Sequence, residues 1–233
     1  MQDLPPSPSS SPSQDSADQN PYIELAIQSS PSNPPAAYLW LSPSQILHKP
    51  IRVRVGGAFI YPPPALSFEE CKSIERAVFV AGGVGVNPVM SMLSAMHGLG
   101  PGRVGGMAGC VRVLYTVRKR IGEEVLFYKR IRGIAESYER DGNVDFKFVL
   151  HETGGEGMEG VSDADGPVGS KSVEHKSRRI EYGDLLDCLG PEEEREKTVV
   201  YVCGPPAMTD EFVDVLGKAL GMENRRVLCE KWW

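Results

Sequence analysis

The sequence lacks the residue patterns of a disulfide-stapled or zinc-binding protein. It contains five cysteines, an odd number, and no two of them are spaced as in a CxxC motif. Its histidines, His48, His97, His151 and His175, form no spaced cluster. We therefore expect no disulfide framework and no metal site, and a reducing compartment is the default expectation.

An excess of positive charge is also missing. The 25 basic residues are outnumbered by 31 acidic residues, which gives a formal net charge of -6. A protein that binds nucleic acid through electrostatics needs a basic face that neutralises phosphates. The charge balance therefore argues against a nucleic-acid partner.

The N-terminus does not have the composition of a targeting segment. The first basic residue of the chain is Lys49, and residues 1–21 contain Asp3, Asp15 and Asp18. Transit peptides are rich in arginine and poor in acids, whereas secretory signals place basic residues before an apolar stretch. We therefore expect no targeting segment in this chain, and the residues alone favour a cytoplasmic location.

The sequence has one candidate for a membrane span, and its composition argues against it. Residues 77–102 contain no Asp, Glu, Lys or Arg. However, glycines at 82, 83 and 85 and the Asn87-Pro88 pair interrupt this stretch. A spanning helix of about 20 apolar residues is not broken at its centre in this way. The stretch favours a strand–turn–helix unit instead.

The first third of the chain combines a polar tail with a few strand patterns. Residues 1–21 are rich in Pro, Ser and Asp and are predicted to be disordered. Residues 22–66 contain strand patterns at Tyr22–Gln28 and at Ile51–Val55, where apolar residues alternate with arginines. Because these strands are too few for a closed barrel, residues 22–66 are predicted to be part of a β domain.

From residue 74 onwards, strand and helix patterns alternate, which is typical of an α/β fold with a doubly wound parallel sheet. Residues 154–177, rich in Gly, Ser, Asp and Glu, are predicted to form a mobile insertion. The five predicted strands are Arg76–Ala81, Val111–Tyr115, Val144–Leu150, Thr198–Val202 and Arg226–Cys229. The predicted helices are Pro88–His97, Glu123–Tyr138, Tyr182–Cys188 and Met208–Leu220.

A glycine-rich turn, AGGVGVNP at 81–88, separates the first predicted strand from the following helix. Glycines let the backbone approach a phosphate, and the first amides of a helix attract an anion. The same glycines also occur in tight turns that serve only strand–helix packing. Because the turn follows a buried strand, we favour pyrophosphate binding.

A second loop, CGPPAM at 203–208, follows the fourth predicted strand. In an open α/β sheet, ligands bind at the carboxyl ends of the strands. This loop and the glycine-rich turn are therefore expected to face one crevice. From the residues alone, Cys203 is either a small core residue or a neighbour of a reacting ring, and the first interpretation is preferred.

The end of the second predicted strand carries three cations, Arg118, Lys119 and Arg120, after Thr116. Arginine suits an adenosine 2′-phosphate because of its fork geometry. A solvated basic turn is an equally good interpretation.

The chain ends in Trp232-Trp233. Two large aromatic side chains are unfavourable when they are exposed to water. They are expected either to pack on the domain or to stack on a flat ligand in the crevice.

Taken together, AGGVGVNPVMSML, YVCGPPAMTDEF and the terminal CEKWW resemble the nicotinamide-dinucleotide domain of the ferredoxin–NADP reductase superfamily over residues 74–233. Many members of that superfamily have the form GGTGxxP. The form GGVGxNP and the ending EKWW point to a particular group of proteins within it. Segments YIELAIQ, PPAAYLWL and VRVGGAF resemble the last part of its flavin barrel, so residues 22–66 are expected to be a barrel remnant. The resemblance also suggests mitochondria.

The resemblance implies an NAD(P)H-dependent oxidoreductase that passes a hydride between nicotinamide and FAD, with an electron acceptor that stays unknown. It implies that Cys203 flanks the nicotinamide and that Trp233 covers the flavin ring, which makes both catalytic candidates. The cofactor-binding residues that it implies are Gly82, Gly83, Val84, Gly85, Asn87, Pro88, Thr116, Arg118, Cys203, Gly204, Pro205, Pro206, Met208, Trp232 and Trp233.

The chain departs from the family at the flavin. Family barrels hold FAD with an Arg-x-Tyr/Phe-Ser/Thr strand motif, which is missing here. Val84 also replaces a threonine whose hydroxyl many relatives place near the nicotinamide. The alternative function is therefore a non-catalytic or incomplete dinucleotide-binding module without its own flavin. A doubly wound protein with a non-redox partner role is a third possibility.

Overall fold

A six-stranded parallel sheet forms the centre of the protein. The computed structural model describes residues 24–54, 56–118, 123–154 and 170–231. The strands are β1 (Arg76–Gly82), β2 (Cys110–Arg118), β3 (Asp145–Thr153), β4 (Val173–Lys176), β5 (Thr198–Cys203) and β6 (Val227–Glu230). Their order in the sheet is β4-β3-β2-β1-β5-β6. The α/β class and the doubly wound parallel sheet are therefore confirmed.

The helices cover both faces of the sheet. They are α1 (Pro34–Leu39), α2 (Pro43–Ile46), α3 (Phe68–Lys72), α4 (Val86–Leu99), α5 (Tyr128–Asp141), α6 (Tyr182–Leu189) and α7 (Pro206–Gly217). Helices α4 and α5 pack on one face, and α6 and α7 on the other. Among the described residues, no helix is both long and apolar enough to span a membrane.

Strand β1 is buried on both faces, which explains its continuous apolar sequence. Phe79 joins the core under α4 and α5 and stacks on Tyr201, with ring centroids 5.4 Å apart. Val78 and Val80 face the other way, into the core under α6 and α7. Because neighbouring residues of a strand point to opposite faces, one strand supplies both cores.

The prediction of five strands was wrong by one, because β4 lies in the predicted insertion. Val173 is buried and pairs with Phe148 of β3. The carboxylate of Glu139 on α5 accepts hydrogen bonds from the backbone and hydroxyl groups of Ser172. These contacts hold the chain on the sheet edge although the sequence VEHK has a single apolar residue. Residues 155–169 of the insertion lie outside the described residues.

The strand predictions in residues 22–66 were wrong wherever the structure describes them. Residues 24–30 and 51–54 contain no strand, and the predicted antiparallel barrel is not seen in the described part of this segment. Side chains rather than a neighbouring strand engage this backbone: Trp40 Nε1 donates to the Ile27 carbonyl at 3.0 Å. An extended segment without a partner strand does not form a sheet.

Helix α5 begins five residues later than predicted. Phe127, which precedes it, has a left-handed backbone with φ of 58°. A helix cannot run through such a residue, because the left-handed conformation breaks the succession of helical dihedrals. The amphipathic pattern predicted that the helix begins at Glu123, whereas the left-handed backbone of Phe127 makes it begin at Tyr128.

Candidate functional site

The candidate site lies at the carboxyl edge of the sheet, where β1 and β5 are neighbours. The chain places β2, β3 and β4 on one side of β1 before it returns to form β5 and β6 on the other side. Ligands of open α/β sheets bind outside such a switch point. Ala81 pairs with Cys203 at the strand ends, which brings the turn after β1 beside the loop after β5.

The two glycine-containing turns pack directly against each other. A Cβ placed on Gly85 would lie 2.1 Å from the carbonyl oxygen of Cys203. A Cβ on Gly82 would lie 2.9 Å from Sδ of Met208, and one on Gly204 would lie 2.3 Å from its Cε. Gly85 is therefore required by the packing of the turns, whereas a side chain at Gly82 or Gly204 would displace the end of the Met208 side chain. Packing is the structural role that the sequence left open for these glycines.

Gly83 differs from these glycines because it faces open space. Its φ is 52°, and a Cβ placed on it would have no neighbour within 4 Å. The side chain of Val84 beside it is 41% exposed. A left-handed backbone favours glycine. Gly83 therefore presents bare backbone at the edge of the crevice, as the close approach of a phosphate requires.

The start of α4 suits an anion. Gly85 occupies the N-cap position without a side-chain hydrogen bond, and the first turn contains no acidic residue. The positive end of the helix dipole is therefore not compensated by a side chain. Pro88 lies in this first turn, where its missing N–H is tolerated.

Asn87 connects the turn to the N-terminal segment. Its side-chain amide donates to the carbonyl of Ala26 at 3.0 Å and to that of Val84 at 2.8 Å. The sequence predicted a cofactor contact for Asn87. In the structure the amide nitrogen donates both hydrogen bonds to backbone carbonyls, so Asn87 holds the neighbouring segment. Its contact with a cofactor stays a prediction.

Buried residues at the end of β5 and in the first turn of α7 hold the loop after β5 in place. Cys203 is fully buried at the end of the strand. Pro205 is the N-cap of α7 and Pro206 its first residue. Buried Thr209 donates from Oγ1 to the carbonyl of Gly204 at 3.1 Å. Sequence reasoning placed Thr209 only in the first turn of a helix, because a hydrogen bond back to a loop carbonyl is visible only in the fold.

A cavity of about 230 Å³ extends from the turn to the end of β2. Its walls include Gly83, Tyr115, Val117 and Arg118. Of the two residues predicted to approach the adenosine ribose, Arg118 lines this cavity, whereas Thr116 is not among the described residues that do.

Acidic residues that the sequence did not single out also lie at this edge. Glu123 and Glu124 line the same cavity, and Glu124 forms an ion pair with Lys129 at 2.7 Å. Glu230, at the end of β6, pairs with Cys203 across the two strands. Burial raises the pKa of the Glu230 carboxyl. The one feature of the sequence that could have identified these acidic residues is their position next to the ends of predicted strands.

A larger cavity of about 890 Å³ lies between residues 24–39 and α4. Leu25, Ile27 and Leu39 give it apolar walls. Val84 and Asn87 form the end nearest the glycine-rich turn. This cavity therefore adjoins the candidate site without being part of the switch-point crevice.

The terminal aromatics predicted to cover a ring, Trp232 and Trp233, lie outside the described residues, as do Lys119 and Arg120. Within the parts of the chain that the structure describes, no three His, Cys, Asp or Glu side chains are grouped as metal ligands.

The chain is similar to known proteins of one name from two mammals. The chain is 28% identical over 220 residues to "Oxidoreductase NAD-binding domain-containing protein 1" of Bos taurus and over 225 residues to the protein of that name from Homo sapiens. Both alignments cover 93% of this chain and 62% of the relative. The chain thus spans about three fifths of the length of these relatives.

Ferredoxin-NADP+ reductase from Plasmodium falciparum is a solved structure similar to this chain. It has 14% identity and a TM-score of 0.39, over 71% of this chain and 56% of that chain. The same enzyme with 2'P-AMP gives a TM-score of 0.35, over 71% of this chain and 55% of that chain.

The family model described as "Oxidoreductase NAD-binding domain" matches residues 79–214, from β1 through most of α7. The matched region includes both turns of the switch-point crevice and lies within the part of the chain that carried the resemblance. Since this match covers more than half of the 233 residues, the chain belongs to the oxidoreductase NAD-binding domain family.

Proposed function

We propose that the protein is an NAD(P)H-dependent oxidoreductase that transfers a hydride between nicotinamide and a flavin. The observation that carries the proposal is the bare backbone of Gly83 beside the uncapped start of α4. A pyrophosphate brings negative charge and needs close backbone approach, and this turn provides both an unscreened helix dipole and room.

The described residues fit a dinucleotide along the whole crevice. With the pyrophosphate over Gly83, the adenosine half extends towards the cavity at the end of β2. The guanidinium of Arg118, the amide of Gln28 and the carboxylates of Glu123 and Glu124 are among the polar groups there. The nicotinamide half extends towards the loop after β5.

The loop after β5 shapes the nicotinamide end. The side chain of Cys203 is fully buried. We therefore expect Cys203 to contact the ring through its backbone, while its side chain packs beneath the crevice. Thr209 fixes the carbonyl of Gly204, so the loop does not need to reorganise when a ring binds. Trp232 and Trp233 would add the aromatic cover that excludes water.

The described residues fit a flavin less well. Bound FAD would supply the hydride acceptor. The 890 Å³ cavity beside Val84 has room for a ring system. However, its cation Arg130 is already paired with Glu24 at 2.7 Å, and the described part of residues 24–66 forms no strand. We therefore assign no flavin-phosphate contact to this chain.

This poor fit favours a second candidate function. In it, the chain binds the dinucleotide and a separate polypeptide, or residues beyond this chain, supplies the flavin. The absence of a strand in the described residues 24–54 is the observation that favours this candidate.

An absorption spectrum distinguishes the two candidates. The purified chain is incubated with FAD, desalted, and then mixed with NADH or NADPH. A retained flavin band that bleaches on addition of either nucleotide supports the oxidoreductase. No retained flavin, with nucleotide binding intact in a titration of Trp fluorescence, supports the dinucleotide-binding module.

The fluorescence titration, together with a melting curve, can also reject both candidate functions. If neither NADH nor NADPH changes the fluorescence or the melting temperature, the crevice does not bind a dinucleotide. A non-redox role of the doubly wound domain would then be the remaining interpretation.

A further inference from the structure

Residues 25–60 form an arm that is attached to the domain near its two ends. At one end the carbonyl of Ala26 accepts from Asn87, and at the other the carbonyl of Ile60 accepts from the hydroxyl of Tyr201 at 2.8 Å. Neither α1 nor α2, which lie between these points, contains a buried residue. The middle of the arm therefore adds little to the core.

Large apolar side chains are exposed along this middle part. Trp40 is 59% exposed, Leu47 61%, Ile51 53% and Val53 56%. Such residues are common singly on a surface, whereas several exposed apolar side chains close together are a feature of interaction sites. We refer to residues 38–54 as the apolar-basic segment.

The charge of this segment is opposite to that of the rest of the chain. Between residues 25 and 68 there is no Asp or Glu, whereas Lys49, Arg52 and Arg54 are present and exposed. Without these three cations, 22 basic residues remain against all 31 acidic ones, so the rest of the chain has a formal net charge of -9, compared with -6 for the whole chain. The cations are thus set among the exposed apolar side chains and away from acids of their own segment.

We propose that the apolar-basic segment binds the surface of an anionic membrane. Trp, Leu and Ile side chains enter the boundary between headgroups and acyl chains, and Lys and Arg bind the lipid phosphates. This combination without acidic residues is what interfacial binding requires. The proposal goes beyond the oxidoreductase function, because none of the described residues that line the cavity between the glycine-rich turn and the end of β2 belongs to this segment.

A second copy of the chain suits the apolar-basic segment less well as a binding partner. In a two-fold symmetric contact the same surface meets itself, so the segment's three cations would face three identical cations. Like charges placed opposite each other disfavour such a contact. An anionic lipid surface offers the complementary charge to every cation.

The test is co-sedimentation of the full chain with phosphatidylcholine vesicles that either contain or lack phosphatidylserine. We expect binding only to the anionic vesicles, weakened by salt. Neutralising Arg52→Gln and Arg54→Gln should weaken binding by about fivefold for each cation removed. Trp40→Ser with Leu47→Ser should abolish it.

Two control variants alter similar side chains elsewhere. Leu220→Ser removes an apolar residue that is 70% exposed, and Arg103→Gln removes an exposed cation outside the segment. Both should bind vesicles like the unaltered chain. Melting temperatures of all variants establish that they are folded, which the position of the altered residues outside both cores predicts.

Three results would overturn the proposal. One is equal binding to neutral and anionic vesicles, and another is equal loss in the control variants. The third is no vesicle binding at all, and a monomer–dimer equilibrium abolished by Leu47→Ser would then assign the segment to a second copy.

Discussion

At the scale of single residues, neighbouring glycines in one turn have different reasons to be glycine. Gly85 is fixed by a backbone contact with Cys203, whereas Gly83 has open space in front of it and a left-handed backbone. The sequence AGGVGVNP indicates that the turn is tight, but it cannot separate packing from ligand approach. The structure separates them, and mutations at the two positions should therefore have different effects.

Gly85→Ala should destabilise the fold. Its Cβ would lie 2.1 Å from a carbonyl oxygen of the backbone, which cannot rotate away. We expect a loss of more than about 3 kcal/mol in the free energy of unfolding, measured by urea denaturation. Gly98→Ala in α4, where a Cβ meets nothing within 4 Å, is the control and should be neutral or stabilising. Equal stability of the two variants would contradict the contact.

Gly83→Asp should leave most of the fold intact and remove dinucleotide binding. The new carboxylate would stand in the space proposed for the pyrophosphate and repel it. Nucleotide titrations followed by Trp fluorescence should show at least about a tenfold loss of affinity, which corresponds to about 1.4 kcal/mol. Gly133→Asp, at an exposed position of α5 with open space, controls for the added charge. Normal binding by Gly83→Asp would count heavily against the proposed site.

His151 should make stability depend on pH. It is fully buried near the end of β3, and this burial lowers its pKa below the ordinary 6.5. The charge of Asp184 and the backbone hydrogen bond with Arg178 oppose the shift, and the charges of Arg178 and Lys176 add to it. The folded protein therefore resists a proton that the unfolded chain accepts. Its stability contribution is present above about pH 6.5 and is lost as the pH falls, by at most about 1.4 kcal/mol per pH unit.

The measurement for His151 is the urea midpoint between pH 7 and pH 5. His151→Leu should flatten this dependence, whatever its effect on absolute stability. His48→Asn is the control, because His48 is exposed and asparagine tolerates its left-handed backbone. An unchanged slope in His151→Leu would refute the argument.

At the scale of elements, β4 shows what local sequence cannot reveal. The central strands were predicted because both of their faces are buried, so their sequences are apolar throughout. The sequence VEHK of β4 has no such signal, and the strand depends on a side chain of α5 that lies more than thirty residues earlier. Conversely, Ile51–Val55 has the alternation of a strand but, where described, no neighbour to pair with.

Glu139 is the residue on which β4 depends. Its carboxylate accepts hydrogen bonds from the hydroxyls of Ser170 and Ser172 and from the amides of Lys171 and Ser172. These bonds, that of the Ser172 hydroxyl foremost, lower the pKa of Glu139 to about 2. Glu139→Gln should therefore lower stability at pH 7 by about 1 kcal/mol, since the side chain is exposed.

Hydrogen exchange of the β4 amides measures the local effect of Glu139→Gln and should become faster. The difference from the unaltered protein should shrink as the pH falls from about 4.5 towards 2. Over this range the stabilisation that the Glu139 carboxylate provides is lost, because its pKa is about 2 in the folded protein and about 4.5 in the unfolded chain. Glu136→Gln on the same helix removes a single ion pair with Arg132 and should leave β4 unchanged. Unaltered β4 exchange in Glu139→Gln would show that the strand is held by its pairing with β3 alone.

At the scale of the whole molecule, the sheet and the arm have different signals in the sequence. The domain from residue 74 onwards follows from its repeated strand and helix patterns, and its switch-point crevice follows from chain order. Sequence reasoning assigned parts of the arm to strands because apolar and polar residues alternate there, but the described residues of these parts have no partner strand. The structure attaches it instead through a few side chains of the domain, among them Asn87, which was expected to contact a cofactor.

Asn87→Ala should therefore release the arm while the sheet stays folded. The variant loses the hydrogen bond to the Ala26 carbonyl, whereas the ion pair of Glu24 with Arg130 and the bond of Tyr201 to Ile60 remain. Limited proteolysis should cut between residues 24 and 40 several times faster, with the urea midpoint changed by no more than about 1 kcal/mol. Ser91→Ala, also on α4 and facing the same cavity, is the matched control. If Asn87→Ala instead weakens nucleotide binding and leaves proteolysis unchanged, the cofactor contact predicted from the sequence is the correct role, and the arm is held by its other attachments.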